Sequence, residues 1–155
     1  MRSILRSAVV VAVLSATLAL DETKTATAAA PPVTVRKTVG GFYGIGDRHS
    51  AVETCVLSGK GGKEVRTLSL KGGGTIVEEQ VARDEKTMAY TYAILESPLS
   101  VEGYKSALSV ASDGKVSKLA WTGSFEAKGA PDAKAEEIVY GIYDGGLKGI
   151  TDKAR

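Results

Sequence analysis

From Glu64 to Phe125 the chain is a succession of segments that each alternate between two unlike faces. The segments are Glu64–Leu70, Thr75–Arg83, Met88–Glu96, Tyr104–Ala111 and Val116–Phe125. Each is rich in Val, Ile, Thr, Tyr and Leu and is bounded by Gly, Pro, Asp or Lys clusters, the pattern of half-buried strands. Short glycine-rich loops join them. Gly59–Lys63 and Lys71–Gly74 suit hairpins, and Asp113-Gly114 is a tight-turn signal. Strands joined this way pair antiparallel. A curled antiparallel sheet followed by one helix encloses a pocket, and that order constrains everything else in the chain.

The period changes after Gly129. Ala135, Ile138, Val139, Ile142, Gly146 and Ile150 recur at helical spacing, with Asp132 as a candidate N-cap and Glu136 and Glu137 in the early turns. Gly141, Gly145 and Gly149 lie four apart beside that stripe. With Gly146 they cost about 3–4 kcal/mol relative to alanine. Such a helix gains close approach to the sheet, leaves room for a bound molecule, or frays after Tyr143.

The N-terminal part reads differently. Arg2 and Arg6 precede Ala8–Leu20, a run that is apolar except for Ser15 and Thr17. About 13 residues is short for a bilayer span and suits the core of a signal peptide. Ala26-Thr27-Ala28 then offers small residues for cleavage after Ala28. The expected organisation is therefore a signal peptide at 1–28, a linker at 29–32 and a single domain at 33–155. Leu20–Pro32 reads as a leader without fixed structure, Val33–Val39 and Ala51–Leu57 as strands, and Gly40–Ser50 as a loop with a short helical turn. The expected location is periplasmic or secreted, with no membrane span left after cleavage.

Without residues 1–28, basic and acidic residues nearly balance. No basic stripe remains, which argues against nucleic acid or an anionic membrane as the main partner. Cys55 is the only cysteine and His49 the only histidine, so no internal disulfide and no His/Cys metal cluster can form. Neither a metal nor a cofactor is expected. Cys55 in an apolar strand reads as packing rather than as a nucleophile paired with His49. Gly59-Lys60-Gly61-Gly62-Lys63 lacks the spacing of a phosphate loop and reads as a turn.

The candidate ligand-binding set comes from the inward faces. Arg66 and Glu78 lie among apolar residues of adjacent strands, where a charge has to be paired or solvated. Either they form an ion pair, or Arg66 receives a ligand carboxylate through its planar fork. Tyr90, Tyr92 and Tyr104 offer hydroxyls to a ligand or simply fill the core, and Trp121 and Phe125 share that ambiguity. His49 is a hydrogen-bonding residue at the cavity mouth or an ordinary loop histidine. Ile138 and Ile142 complete the set from the helix.

Three stretches carry a resemblance: Val65-Arg66-Thr67-Leu68-Ser69-Leu70, Tyr90-Thr91-Tyr92-Ala93-Ile94-Leu95-Glu96-Ser97-Pro98-Leu99, and Trp121-Thr122-Gly123-Ser124-Phe125. With Ile76-Val77-Glu78, Tyr104-Lys105-Ser106 and Gly141-Ile142-Tyr143-Asp144-Gly145-Gly146-Leu147, they resemble exported bacterial members of the SRPBCC superfamily. That superfamily includes START-like and polyketide-cyclase-like domains, and the periplasmic MxaD-type proteins are a branch of it. The resemblance covers Phe42–Lys153. It implies an α+β helix-grip fold (Bet v 1/START-like), a curved antiparallel sheet wrapped around a long C-terminal helix over a hydrophobic cavity.

Two departures accompany it. The helix that such proteins place before the segment resembling Gly41-Phe42-Tyr43 looks deleted, so the N-terminal helical lid is expected to be shortened. Arg48-His49-Ser50 stands where Trp-His-Pro is common. The function implied is a non-catalytic periplasmic carrier of a small hydrophobic or lipid-like molecule. The alternatives are an accessory protein docking on a periplasmic oxidation system, as in the MxaD branch, and a cyclase- or dehydratase-like enzyme using a tyrosine with Arg66 and Glu78.

Overall fold

The structure is a computed structural model that describes residues 18–155. Most of the apolar run Ala8–Leu20 lies outside the described residues. Seven strands form one antiparallel sheet: β1 (Leu20–Ala28), β2 (Val52–Lys60), β3 (Lys63–Leu70), β4 (Thr75–Asp84), β5 (Ala89–Glu96), β6 (Val101–Asp113) and β7 (Val116–Ala127). Their order across the sheet is β1-β7-β6-β5-β4-β3-β2. Helices α1 (Pro32–Val39) and α2 (Ile45–Arg48), linked by a 3₁₀ turn at Phe42–Gly44, cross from β1 to β2, and α3 (Asp132–Lys153) closes the chain. This is the expected helix-grip arrangement.

The five strands read between Glu64 and Phe125 correspond to β3–β7. Their inward faces carry the core: Leu68, Ile76, Tyr90, Tyr92, Tyr104, Leu108, Leu119, Trp121 and Phe125 are all buried. Irregularities in pairing at Val77/Glu78 and Gln80/Ala82 of β4, and at Glu102/Lys105 of β6, bend the sheet. The β2–β3 hairpin turns on Gly61 and Gly62, both at positive φ between the paired Lys60 and Lys63. A two-residue turn of that kind requires it.

The N-terminal expectations are corrected. Leu20–Ala28, expected to lack fixed structure, is a strand paired with β7 over all nine of its residues. Thr23, Thr25 and Thr27 occupy its exposed face, where β-branched residues favour extended backbone. Its inward face carries Glu22, Lys24 and Ala26, and Lys24 reaches Asp144 of α3 at 2.8 Å. A chain cut after Ala28 would lack this strand entirely. The segment read as a strand at Val33–Val39 is instead α1. Pro31 precedes it at the N-cap, Pro32 occupies the first turn, and Val35 and Val39, four residues apart, are buried. The first helix is therefore not deleted. The lid is nonetheless short, with helices of 8 and 4 residues.

Helix α3 runs unbroken past Tyr143 to Lys153, and Pro131 rather than Asp132 is its N-cap. Its glycines divide by environment. A Cβ on Gly149 would fall 1.7 Å from the Arg48 carbonyl oxygen, and one on Gly146 would fall 2.2 Å from the Trp121 ring. These two let the lid and the sheet press against the helix backbone. A Cβ on Gly141 would meet nothing within 4 Å.

Two predictions follow from this packing. Gly141→Ala should raise stability by up to about 1 kcal/mol through helix propensity, whereas Gly149→Ala should lower it by about 1–3 kcal/mol through overpacking. Equal shifts of the two melting temperatures would deny the close approach at Gly149. A chain beginning at Ala29 should give no cooperative melt by circular dichroism, while one beginning at Leu20 should.

Candidate functional site

A cavity of about 220 Å³ lies between α3, the lid and strands β2–β7. Seven of the sequence-derived residues line it: His49, Glu78, Tyr92, Tyr104, Trp121, Ile138 and Ile142. Three do not. Tyr90 and Phe125 are buried elsewhere in the core, and Arg66 lies behind Glu78, fully enclosed. Much of the remaining wall, including Ile45, Val52, Leu68, Ile76, Ile94 and Leu99, was not singled out in the sequence. Strand alternation carried a signal for two of them, since Leu68 shares a face with Arg66, and Ile94 with Tyr92.

Arg66 and Glu78 face each other across the β3–β4 register and form an ion pair, Nε to Oε2 at 2.5 Å. Arg66 Nη1 donates to the Phe42 carbonyl at 2.7 Å, and its guanidinium lies 4.0 Å from the centre of the Phe42 ring. This side chain ties two strands to the lid, and it presents no fork to the cavity. Burial pushes the Glu78 carboxyl above the ordinary carboxylate range, with the Arg66 charge pulling the other way. Arg48 is buried next to them. It donates from Nε to the Val39 carbonyl at 3.2 Å and from Nη2 to the Tyr90 hydroxyl at 2.8 Å. The departure from tryptophan at this position therefore leaves a buried arginine bonded through Nε and Nη2, with Nη1 unpartnered. Burial alone would raise the Tyr90 pKa, but the charges of Arg48 and Arg66 bring it below its ordinary value.

The aromatic residues form a single hydrogen-bonded chain. Trp121 Nε1 donates to the Tyr92 hydroxyl at 3.0 Å, which lies 3.3 Å from the Tyr104 hydroxyl. Tyr104 donates to Tyr143 at 2.9 Å, Tyr143 lies 3.0 Å from Ser106 Oγ, and Ser106 donates to the Thr122 carbonyl at 2.6 Å. Indole N–H can only donate. The chain therefore runs one way, and each hydroxyl accepts once and donates once. Burial raises the pKa of Tyr92, Tyr104 and Tyr143, so all three hydroxyls stay protonated. Tyr143 and Ser106 were missed in the sequence. Tyr143 follows Val139 by four residues on the buried stripe, and it enters the sheet where Gly123 has no side chain; a Cβ there would lie 2.0 Å from its hydroxyl.

His49 is buried at the junction of lid and helix. Its Nδ1 accepts from the Ala51 amide at 3.2 Å, so Nε2 carries the proton and donates to the Ile142 carbonyl at 2.9 Å. Burial lowers its pKa, the Ile142 contact opposes that, and the charges of Arg48 and Arg66 lower it further. Cys55 is buried and unpaired, and burial pushes its thiol up. Among the described residues no group of three or more His, Cys, Asp or Glu gathers as a metal site, and no helix is long and apolar enough to cross a membrane.

This architecture, a curved sheet gripping one long helix, is shared with solved structures. An uncharacterized protein from Bacillus thuringiensis superposes with TM-score 0.79 at 29% identity, over 86% of this chain and 97% of its own. XoxI from Bacillus cereus does so with TM-score 0.79 at 29% identity, over 85% and 93%. The fold also matches the Zhui aromatase/cyclase of a Streptomyces species, with TM-score 0.73 at 19% identity over 88% and 94%. No curated protein matches the chain. The chain is an SRPBCC-superfamily protein. Residues 21–155 match the family model described as polyketide cyclase / dehydrase and lipid transport, and the protein belongs to that family.

The lowered histidine pKa sets a pH dependence. Between the ordinary value near 6.5 and its lower folded value, the unfolded chain binds a proton that the native protein refuses. His49 thus contributes stability that is complete above about pH 6.5 and is lost as pH falls below it. Glu78 has the opposite sign, because its raised folded pKa adds stability as pH falls towards 4.5. The histidine contribution is isolated by comparison with His49→Gln, which should show a flatter loss of stability from about pH 7 to about pH 5. Parallel profiles from denaturant titrations would remove His49 from the account.

Proposed function

We propose that this protein is an exported binding or carrier protein for a small apolar molecule held between α3 and the sheet, with no reaction at the site. The observation that carries the reading is the apolar cavity itself. Its lining is almost entirely aliphatic and aromatic, and its tyrosine hydroxyls are committed to one another. A pocket of this kind selects by shape with one or two polar contacts. The family description, which names lipid transport, and the fold shared with an aromatase/cyclase agree with an apolar ligand. Export is supported by Arg2 and Arg6 ahead of the apolar run Ala8–Leu20.

A second reading, docking on another exported protein as in the MxaD branch, is favoured by Val56 and Leu57. Both stand exposed on β2, at the edge of the sheet. The cyclase-like reading loses its proposed acid–base pair, since Arg66 does not face the cavity. Native mass spectrometry of protein purified from its producing cells separates the first two. A discrete small excess mass released on denaturation is the expected result. A bare chain that also takes up no apolar probe, yet forms a stable complex with one defined protein, would decide for docking.

A further inference from the structure

The polar groups around the cavity restrict what it can hold, taking as given the apolar-ligand reading above. Tyr92 and Tyr104 have no proton to offer, because each already donates along the chain that starts at Trp121 and ends at the Thr122 carbonyl. His49 has both ring nitrogens engaged, with the Ala51 amide and the Ile142 carbonyl. Glu78 is different. Its Oε2 takes the Arg66 Nε, and among the described residues Arg66 is the only side chain that hydrogen-bonds to this carboxylate. The remaining oxygen, Oε1, belongs to a cavity-lining residue that is 5% exposed. The cavity therefore offers one charged acceptor and no free side-chain donor.

Charge narrows the choice further. A ligand carboxylate would meet Glu78 with no donor on the cavity wall to answer it, since Arg66 and Arg48, although Arg66 Nη2 and Arg48 Nη1 are unpartnered, do not line the cavity. A ligand cation would join a cluster that already holds two buried guanidinium groups, Arg48 and Arg66, against the single carboxylate of Glu78. Both ions would also be desolvated on entry, at large cost. A neutral donor escapes both penalties. At the volume that each water or packed heavy atom occupies, 220 Å³ holds roughly seven to eleven heavy atoms.

We propose that the cavity between α3 and strands β2–β7 binds a neutral apolar alcohol or phenol of about that size, its hydroxyl donating to Glu78 Oε1. Glu78 is then the specificity-determining residue, and Arg66 is the positioning residue that holds its carboxylate in place. A hydrogen bond to a charged acceptor is strong enough to discriminate between otherwise similar ligands by about tenfold or more.

The test uses the full chain and Trp121, the only tryptophan, as a fluorescent reporter in the cavity wall. Four probes of nearly equal size differ in one group: propylbenzene, 2-phenylethanol, phenylacetate and phenethylammonium. The expected order puts 2-phenylethanol about tenfold or more tighter than propylbenzene, with both ions weaker than the hydrocarbon. In the double variant Arg66→Leu/Glu78→Leu, which removes both members of the ion pair and leaves Arg48 on the Val39 carbonyl and the Tyr90 hydroxyl, the ratio of alcohol to hydrocarbon affinity should fall to about one. Equal affinities for alcohol and hydrocarbon in the wild-type protein would overturn the assignment of Glu78 while apolar binding stands. Tightest binding of phenylacetate would overturn it in favour of a donor facing the ligand. No response to any of the four would remove the carrier reading together with it.

Discussion

A guanidinium enclosed between a sheet and a helical lid has to be answered by a negative charge and by carbonyl oxygens, and much of this molecule is arranged to do so. Arg66 draws Glu78 from the neighbouring strand and the Phe42 carbonyl from the lid, and the Phe42 ring covers it. Taking either partner away would leave a charge in a dry interior, at about 3–5 kcal/mol. The pair therefore locks the β3–β4 register, the position of the 3₁₀ turn and, through Glu78, the one charged group on the cavity wall. Arg48 extends the same logic from α2 by joining the end of α1 to Tyr90. The lid is short, but it is held by charge-assisted bonds as well as by apolar contact.

The helix side works by omission. Where Gly146 and Gly149 lack side chains, Trp121 and the end of α2 approach the backbone of α3, and where Gly123 lacks one, the Tyr143 hydroxyl enters the sheet. Close contact at these places fixes the helix against β7 and the lid. The cavity remains further along, where Ile138 and Ile142 face strands that bend away at the irregularities of β4. A rigid, internally satisfied wall of tyrosines on one side and aliphatic side chains on the other make a volume that water gains little by entering. Binding and folding thus share residues: the hydroxyl chain that stabilises the core also removes donors from the cavity.

The sheet from β3 to β7 was legible because its two-residue period is strong and its loops carry glycine. The N-terminal elements were not, and the reason is visible in their residues. The inward face of β1 carries Leu20, Ala26 and Ala28 but interrupts them with Glu22 and Lys24, so it shows no continuous apolar stripe, and its strand character comes from pairing with β7. In α1, Val33, Val35 and Val39 look alternating, but only Val35 and Val39 are buried, and the prolines before them set a helical start. At the site, charges and aromatics stood out in the sequence as residues in need of partners, whereas the aliphatic wall did not. Arg66 illustrates the limit. Strand alternation put Arg66 and Glu78 on the inward face and left open whether they pair or Arg66 takes a ligand, and it did not decide which of the two faces the cavity.

The sequence by itself determined the succession of antiparallel strands, the single closing helix, the lack of any internal disulfide or His/Cys metal cluster, and two inward-facing charges in need of partners. These follow from periodicity and composition, which act locally. Tertiary structure alone decided that Leu20–Ala28 completes the sheet, that the tyrosines point their protons at one another, and that Glu78 rather than Arg66 meets the cavity. Each of these depends on side chains brought together from distant parts of the chain, where the choice between two orientations is set by packing against a third element. No local pattern encodes that choice.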